Sequence, residues 1–107
     1  MKKTIVFTKQ AQAFLDSIPA SAQNNLRACF ARLEEDGFLR SPFGEKVEGQ
    51  RGLFEIRAKD AAGQYRVFYA YATEAYVVLL SGFVKKTQKT PTAEIQKALR
   101  IKKEIGL

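Results

Sequence analysis

The 107-residue sequence contains no histidine. That removes the commonest general base and the commonest metal ligand together. Cysteine is nearly missing too. Cys29 stands alone, so no internal disulfide can form, and its place on an apolar helical stripe marks it as core rather than nucleophile. There is no run of about 18 apolar residues, so no membrane span is expected. The start, "MKKTIVFTK", carries the two lysines of a signal n-region, but Ile5, Val6 and Phe7 are too few for its apolar core. No Walker, Rossmann or metal-ligand pattern is present, and neither is an internal repeat or a low-complexity segment. These absences point to a cytoplasmic protein that needs no metal and no cofactor. With 46% apolar residues, the length suits one domain over 1–107 with a packed core.

Acidic residues are also scarce where it matters. Residues 1–50 hold seven basic and six acidic side chains, whereas residues 51–107 hold eleven and five. The net charge of +7 is therefore concentrated in the second half. No acid lies between Glu74 and Glu94, a stretch that contains Lys85, Lys86 and Lys89. A one-sided positive field attracts polyanions and speeds their association, which makes nucleic acid the leading candidate partner.

The periodicities give an order of elements. "TIVF" at 4–7 reads as a strand, and Thr8 as the cap of a helix from Lys9 in which Ala11, Phe14, Leu15 and Ile18 share a face. After "PAS", Ser21 is expected to cap a second helix with Leu26, Cys29, Phe30 and Leu33 on one stripe, ending at Gly37. Residues 38–52, with Pro42 and three glycines, read as loop. Three strands follow at 53–59, 65–71 and 76–84, joined by short turns. Thr90 is expected to cap a last basic helix over 91–105, with Pro91 at its first position. The order β-α-α-β-β-β-α implies an α+β fold. It consists of a small antiparallel sheet, a three-strand meander plus the N-terminal strand, packed on the helix pair, with its other face partly open.

Alternation aims Glu55, Arg57 and Lys59 at that open face, and Arg66 faces them across a hairpin. Lys85 or Lys86 completes a cationic hollow; which of the two depends on whether a bulge near Ser81-Gly82 shifts the register. Such a hollow suits RNA cleavage through the RNA's own 2′-hydroxyl, which needs no metal. Arginine forks neutralise the pentacoordinate phosphate, and Arg66 on the middle strand is placed to hold two oxygens at once. A lysine crowded by like charges can carry protons in place of histidine, and Glu55, the only carboxylate on that face, is the candidate base. Lys59 and Lys89 are candidate RNA contacts, with Tyr65 and Tyr69 as base-stacking rings. Against each stands a plainer reading. The strand cations can be ordinary solvent-facing residues, Arg66 can simply pair with Glu55, the lysines can be solvated loop charge, and the tyrosines can be core.

The segment 52–91, "GLFEIRAKDAAGQYRVFYAYATEAYVVLLSGFVKKTQKTP", resembles the core of the RelE/ParE toxin superfamily, above all its HigB-like, phage-associated branch. The resemblance lies in "GL-aromatic-E-x-R", in "YRVFY", and in an apolar strand ending "GFVKKTQKTP". It implies a fold like that of microbial RNases and the activity of a type II toxin. The activity is metal-independent cleavage of mRNA, usually on the ribosome, neutralised by a cognate antitoxin of helix-turn-helix type. By matched position, Arg57 and Arg66 fall on the basic strand positions of the family site, Lys59 near another, and Lys85 or Lys86 on the basic residue after the last strand. Some members use histidine, which this chain lacks, so the resemblance does not assign the acid and base. Two other classes stay open at this stage: a ParE-like inhibitor of DNA gyrase that cleaves nothing, and a nucleic-acid-binding module without catalysis.

Overall fold

Thr8 ends the first strand and starts the first helix. In the computed structural model, which describes residues 2–107, β1 (Thr4–Phe7) runs into α1 (Lys9–Ser17). The Thr8 hydroxyl accepts from the Ala11 amide at 3.0 Å and donates to the Leu80 carbonyl at 2.7 Å. One side chain thus caps the helix and ties it to the sheet. The helix α2 (Ala20–Asp36) begins at Pro19, whose extended conformation already fits the cap position. Ser21 therefore falls inside the first turn and is not the cap; it donates to Asp60 Oδ2 at 2.6 Å and so ties α2 to the turn at 60–63. Gly37 stops α2 in the left-handed conformation, φ 81°, where a side chain would be strained.

The sheet has five strands in the order β1-β5-β4-β3-β2. The meander is β3 (Phe54–Lys59), β4 (Gln64–Tyr71) and β5 (Tyr76–Lys85), antiparallel throughout. Two features extend the expectation. A short strand β2 (Gly44–Lys46), within the stretch read as loop, pairs antiparallel with β3. The N-terminal strand joins β5 in parallel, with Thr4 opposite Tyr76 and Phe7 opposite Leu79. A parallel pair needs a crossover, and everything between residues 7 and 76 supplies it.

Both faces are covered, unequally. The helix pair packs Leu15, Leu26, Phe30 and Leu33 against Ile56, Val67, Tyr69, Val77 and Leu79. The second face carries α3 (Thr92–Glu104), whose Ala98 and Ile101 pack with Leu53, Phe68, Leu80 and Phe83. The face expected to be open is thus closed over β5, where the modest stripe of Ile95, Ala98 and Leu99 finds its partners, and open only toward β3. Pro91, not Thr90, occupies the cap position of α3, and Thr90 is turned to other work. No helix among the described residues is long and apolar enough to cross a membrane.

One irregularity decides which side chains share a face. Phe68 pairs with Ser81 but Tyr69 pairs with Leu79, so Leu80 is an extra residue on β5. Beyond this bulge the alternation inverts. Gly82 then faces α1, where an added Cβ would lie 2.2 Å from the Phe14 ring. Ser81, Phe83 and Lys85 turn to the second face.

Candidate functional site

The strand register lays the site out as rows across β3, β4 and β5. Arg57 pairs with Arg66 and Arg66 with Phe83; Lys59 pairs with Gln64 and Gln64 with Lys85. Glu55 pairs with Phe68 and Phe68 with Ser81. All these side chains rise from the second face, with neighbours about 5 Å apart across the strands and rows about 7 Å apart along them. Arg57, Lys59, Arg66 and Lys85 are therefore one cluster. The bulge at Leu80 settles the choice between the two lysines: Lys85 belongs to this face, and exposed Lys86 follows the end of the strand. Exposed Lys89 lies in the connection from β5 to α3.

Glu55 organises the cluster. Its side chain is only 4% exposed, and Oε1 lies 2.9 Å from Arg66 Nε and 3.7 Å from Arg57 Nε. The Thr90 hydroxyl donates to Oε2 at 3.3 Å, which draws the 86–91 connection across the acid. Glu55 is thus buried beneath the two arginines and the Thr90 hydroxyl, not presented at the surface of the hollow. This geometry suits positioning better than the role of base expected for it, since the acid lies beside two like charges that would otherwise repel.

The two arginines differ. Arg66 is buried. Its Nη1 donates to the Tyr65 carbonyl at 3.3 Å and its Nη2 to Gln64 Oε1 at 3.0 Å, while the Nε–H is not aimed at Glu55 along a hydrogen-bond direction despite the short distance. Burial pulls its guanidinium below the ordinary value; the Glu55 charge opposes this and Arg57 adds to it. The fork expected to clamp two phosphate oxygens is thus buried, with one N–H of each terminal nitrogen already engaged by a protein acceptor. Arg57 carries the free fork. Its side chain is 37% exposed and makes no hydrogen bond to the described residues, and Nε is buried without a partner.

Tyr65 and Tyr69 point the other way. They sit buried in the helix-pair core, and burial pushes both hydroxyls up. Tyr65 donates to Asp60 at 3.2 Å, and Tyr69 stacks on Phe54 at 5.3 Å between ring centres. Neither offers a ring face to a base, so the stacking role expected for them is withdrawn; their parity on β4 is opposite to that of Arg66. Cys29 is buried too, and desolvation raises its thiol, with Arg32 opposing, as suits a core residue.

The place of Phe43 beside the cluster was not legible in the sequence. This exposed aromatic ends the 38–43 loop, and its carbonyl accepts from the Arg57 amide at 2.8 Å. In the sequence Phe43 reads only as one of the apolar residues, with Phe38 and Val47, that order the loop, and no local pattern there marks its place beside β3. A cavity of about 830 Å³ begins at Arg57, Lys59, Gln64 and Arg66 and continues around the unpaired end of β3 toward α2 and this loop.

A five-stranded sheet with a helix pair on one face is the fold that this chain shares with solved RelE toxins. The chain matches a double arginine-to-alanine mutant of the E. coli toxin RelE in the free state over the whole of both chains, with a TM-score of 0.68 at 17% identity. The RelE–RelB complex from the archaeon Pyrococcus horikoshii OT3 matches at TM-score 0.60 and 25% identity, and the intact E. coli RelBE toxin–antitoxin complex at 0.62 and 17%. These alignments cover 84% and 83% of this chain, respectively, and all of the matched chain. No curated protein sequence gives a match. The pattern defining the family described as "Phage derived protein Gp49-like (DUF891)" matches residues 13–103, and the chain belongs to that family.

Proposed function

We propose that this protein is the toxin of a type II toxin–antitoxin pair, of HigB-like kind, and that it cleaves mRNA on the ribosome until a cognate antitoxin neutralises it. The observation that carries this reading is the free Arg57 fork, set beside Arg66 and one row from Lys59 and Lys85, with a buried carboxylate holding the pair. The RelE fold, found in structures with and without RelB antitoxins, supports it. In the reaction, the 2′-hydroxyl attacks the adjacent phosphorus, the P–O5′ bond breaks, and a 2′,3′-cyclic phosphate and a 5′-hydroxyl result. Arg57 takes the non-bridging oxygens, whose charge grows in the transition state, and Arg66 adds fixed positive potential from beneath. Lys85 and Lys59 flank the phosphate from the neighbouring row and are placed to exchange protons with the 2′ and 5′ oxygens. Lys86 and Lys89 extend the positive surface along the departing strand. Transesterification of this kind needs no metal.

The test is brief induction of wild type and Arg57→Ala, with growth and primer extension on cellular mRNA as readouts. Wild type should arrest growth and cut mRNA at discrete codon positions. Loss of one preorganised donor should slow cutting by about 100- to 1000-fold. Intact mRNA together with DNA damage would instead favour a ParE-like gyrase inhibitor, and normal growth would overturn the toxin reading.

A further inference from the structure

The cavity that starts at the cationic rows does not end there. β2 pairs with β3 only from Gly44 opposite Ile56 to Lys46 opposite Phe54, so beyond Arg57 the edge of β3 has no strand beside it. The space left open is walled by α2 on one side and the 38–43 loop on the other. Its charged lining is Arg32, Arg40, Arg57, Lys59 and Arg66 against the single acid Asp36. Its exposed aromatic side chains are Phe43, 56% accessible, and Phe38, over which the Arg40 guanidinium lies at 5.2 Å. An exposed phenylalanine of this size on a small protein costs solvation, and nothing in the fold covers it.

The loop that carries these rings is fixed. Gly44 lies so close to Leu39 that an added Cβ would fall 2.5 Å from the Leu39 Cβ. The Phe43 and Gly44 amides both donate to the Arg40 carbonyl, at 2.9 and 3.1 Å, and Ser41 donates to Glu45 at 2.8 Å. At the other end the Tyr71 hydroxyl donates to the Gly37 carbonyl at 2.7 Å. Phe43 is therefore presented on a pinned turn, next to the strand position that bears the free fork.

We propose that this cleft is a nucleotide subsite of the same RNA site: Phe43 stacks on a base neighbouring the phosphate held at Arg57, and Arg40 and Arg32 take the phosphates that follow. The inference rests on the RNA-cleaving reading above. Single-stranded RNA is the occupant that matches both parts of the lining, because it alternates flat apolar faces with negative charges. Stacking also answers the loss of Tyr65 and Tyr69 to the core, since it supplies the aromatic surface from another element.

The test compares wild type, Phe43→Ala, Phe43→Tyr and Arg57→Ala by fluorescence anisotropy at low salt. The probes are a labelled 12-nucleotide RNA of mixed sequence, 2′-O-methylated to prevent cleavage, and an abasic phosphodiester strand of equal length. Phe43→Ala should weaken binding of the base-bearing RNA about tenfold, as loss of one stacked base does, and leave the abasic strand unaffected. Phe43→Tyr should bind like wild type, and Arg57→Ala should weaken both probes alike. If wild type binds RNA and Phe43→Ala binds it equally well, or loses both probes equally, the subsite is wrong while the phosphate hollow stands. If Phe43→Ala leaves RNA binding intact but abolishes binding of an acidic antitoxin peptide, the cleft is a protein site and the inference falls. If wild type binds neither probe, the RNA reading falls and takes the subsite with it. Circular dichroism verifies that each exposed-site variant is folded.

Discussion

Two guanidiniums meeting one carboxylate is a charge-imbalanced arrangement, and at the residue scale it explains why Glu55 is buried. Arg57 and Arg66 are directly opposite across two strands, a pairing that costs stability unless an acid lies between them. Glu55 supplies that acid, and Thr90 keeps it in place. Its removal leaves a buried arginine without a counter-charge. Glu55→Gln should therefore lower the unfolding free energy by about 3–5 kcal/mol, the usual cost of breaking a buried pair from one side. Urea denaturation measures this as a lower midpoint at unchanged slope. A change below about 1 kcal/mol would mean that the arginines do not depend on the acid, as for a surface pair.

At the element scale, the site depends on one extra residue in β5. Because Leu80 is accommodated as a bulge, Lys85 reaches the cationic face and Lys86 does not share its row. Lys85→Ala should relieve growth arrest and slow mRNA cutting by at least tenfold, while Lys86→Ala should change either by less than threefold. Equal effects in colony counts and primer extension would remove the bulge from any role in function. The bulge also marks the limit of what was legible in the sequence. The period-two pattern of "LFEIRAK" put Glu55, Arg57 and Lys59 on one face, and the apolar run at 76–80 marked the buried strand, because both signals are local. The parity of residues 81–85 was not local, since it depends on how β5 meets β4. For the same reason Tyr65 and Tyr69 read equally well as core or as stacking rings. The strand β2 is too short, at three residues, to show any period. Thr90 looked like a helix cap because its composition fits one, but Glu55 competes for its hydroxyl.

For the molecule as a whole, uneven charge and a mixed sheet are the governing features. RNA association through Arg57, Lys59 and Lys85, the cations left free once Arg66 pairs with Glu55, should show a log–log salt slope of about −2, from three neutralised phosphates on a single strand. Affinities measured from low to moderate salt give this slope directly, and a flat dependence would mean that the cluster does not hold phosphate. Alternation and capping made the α+β order legible at this scale, and even the N-terminal strand was legible as an element. Its parallel partner was not, because that pairing joins residues more than 70 positions apart, Thr4 to Tyr76. That pairing has a consequence for biosynthesis. During synthesis β1 has nothing to pair with until residues 76–79 have been made, and the site is not closed until Lys85 and Thr90 have followed. Long-range pairings of this kind fold late and slowly. On the proposed reading, the cationic site is thus incomplete until the last strand and the turn that follows it have been made and have docked.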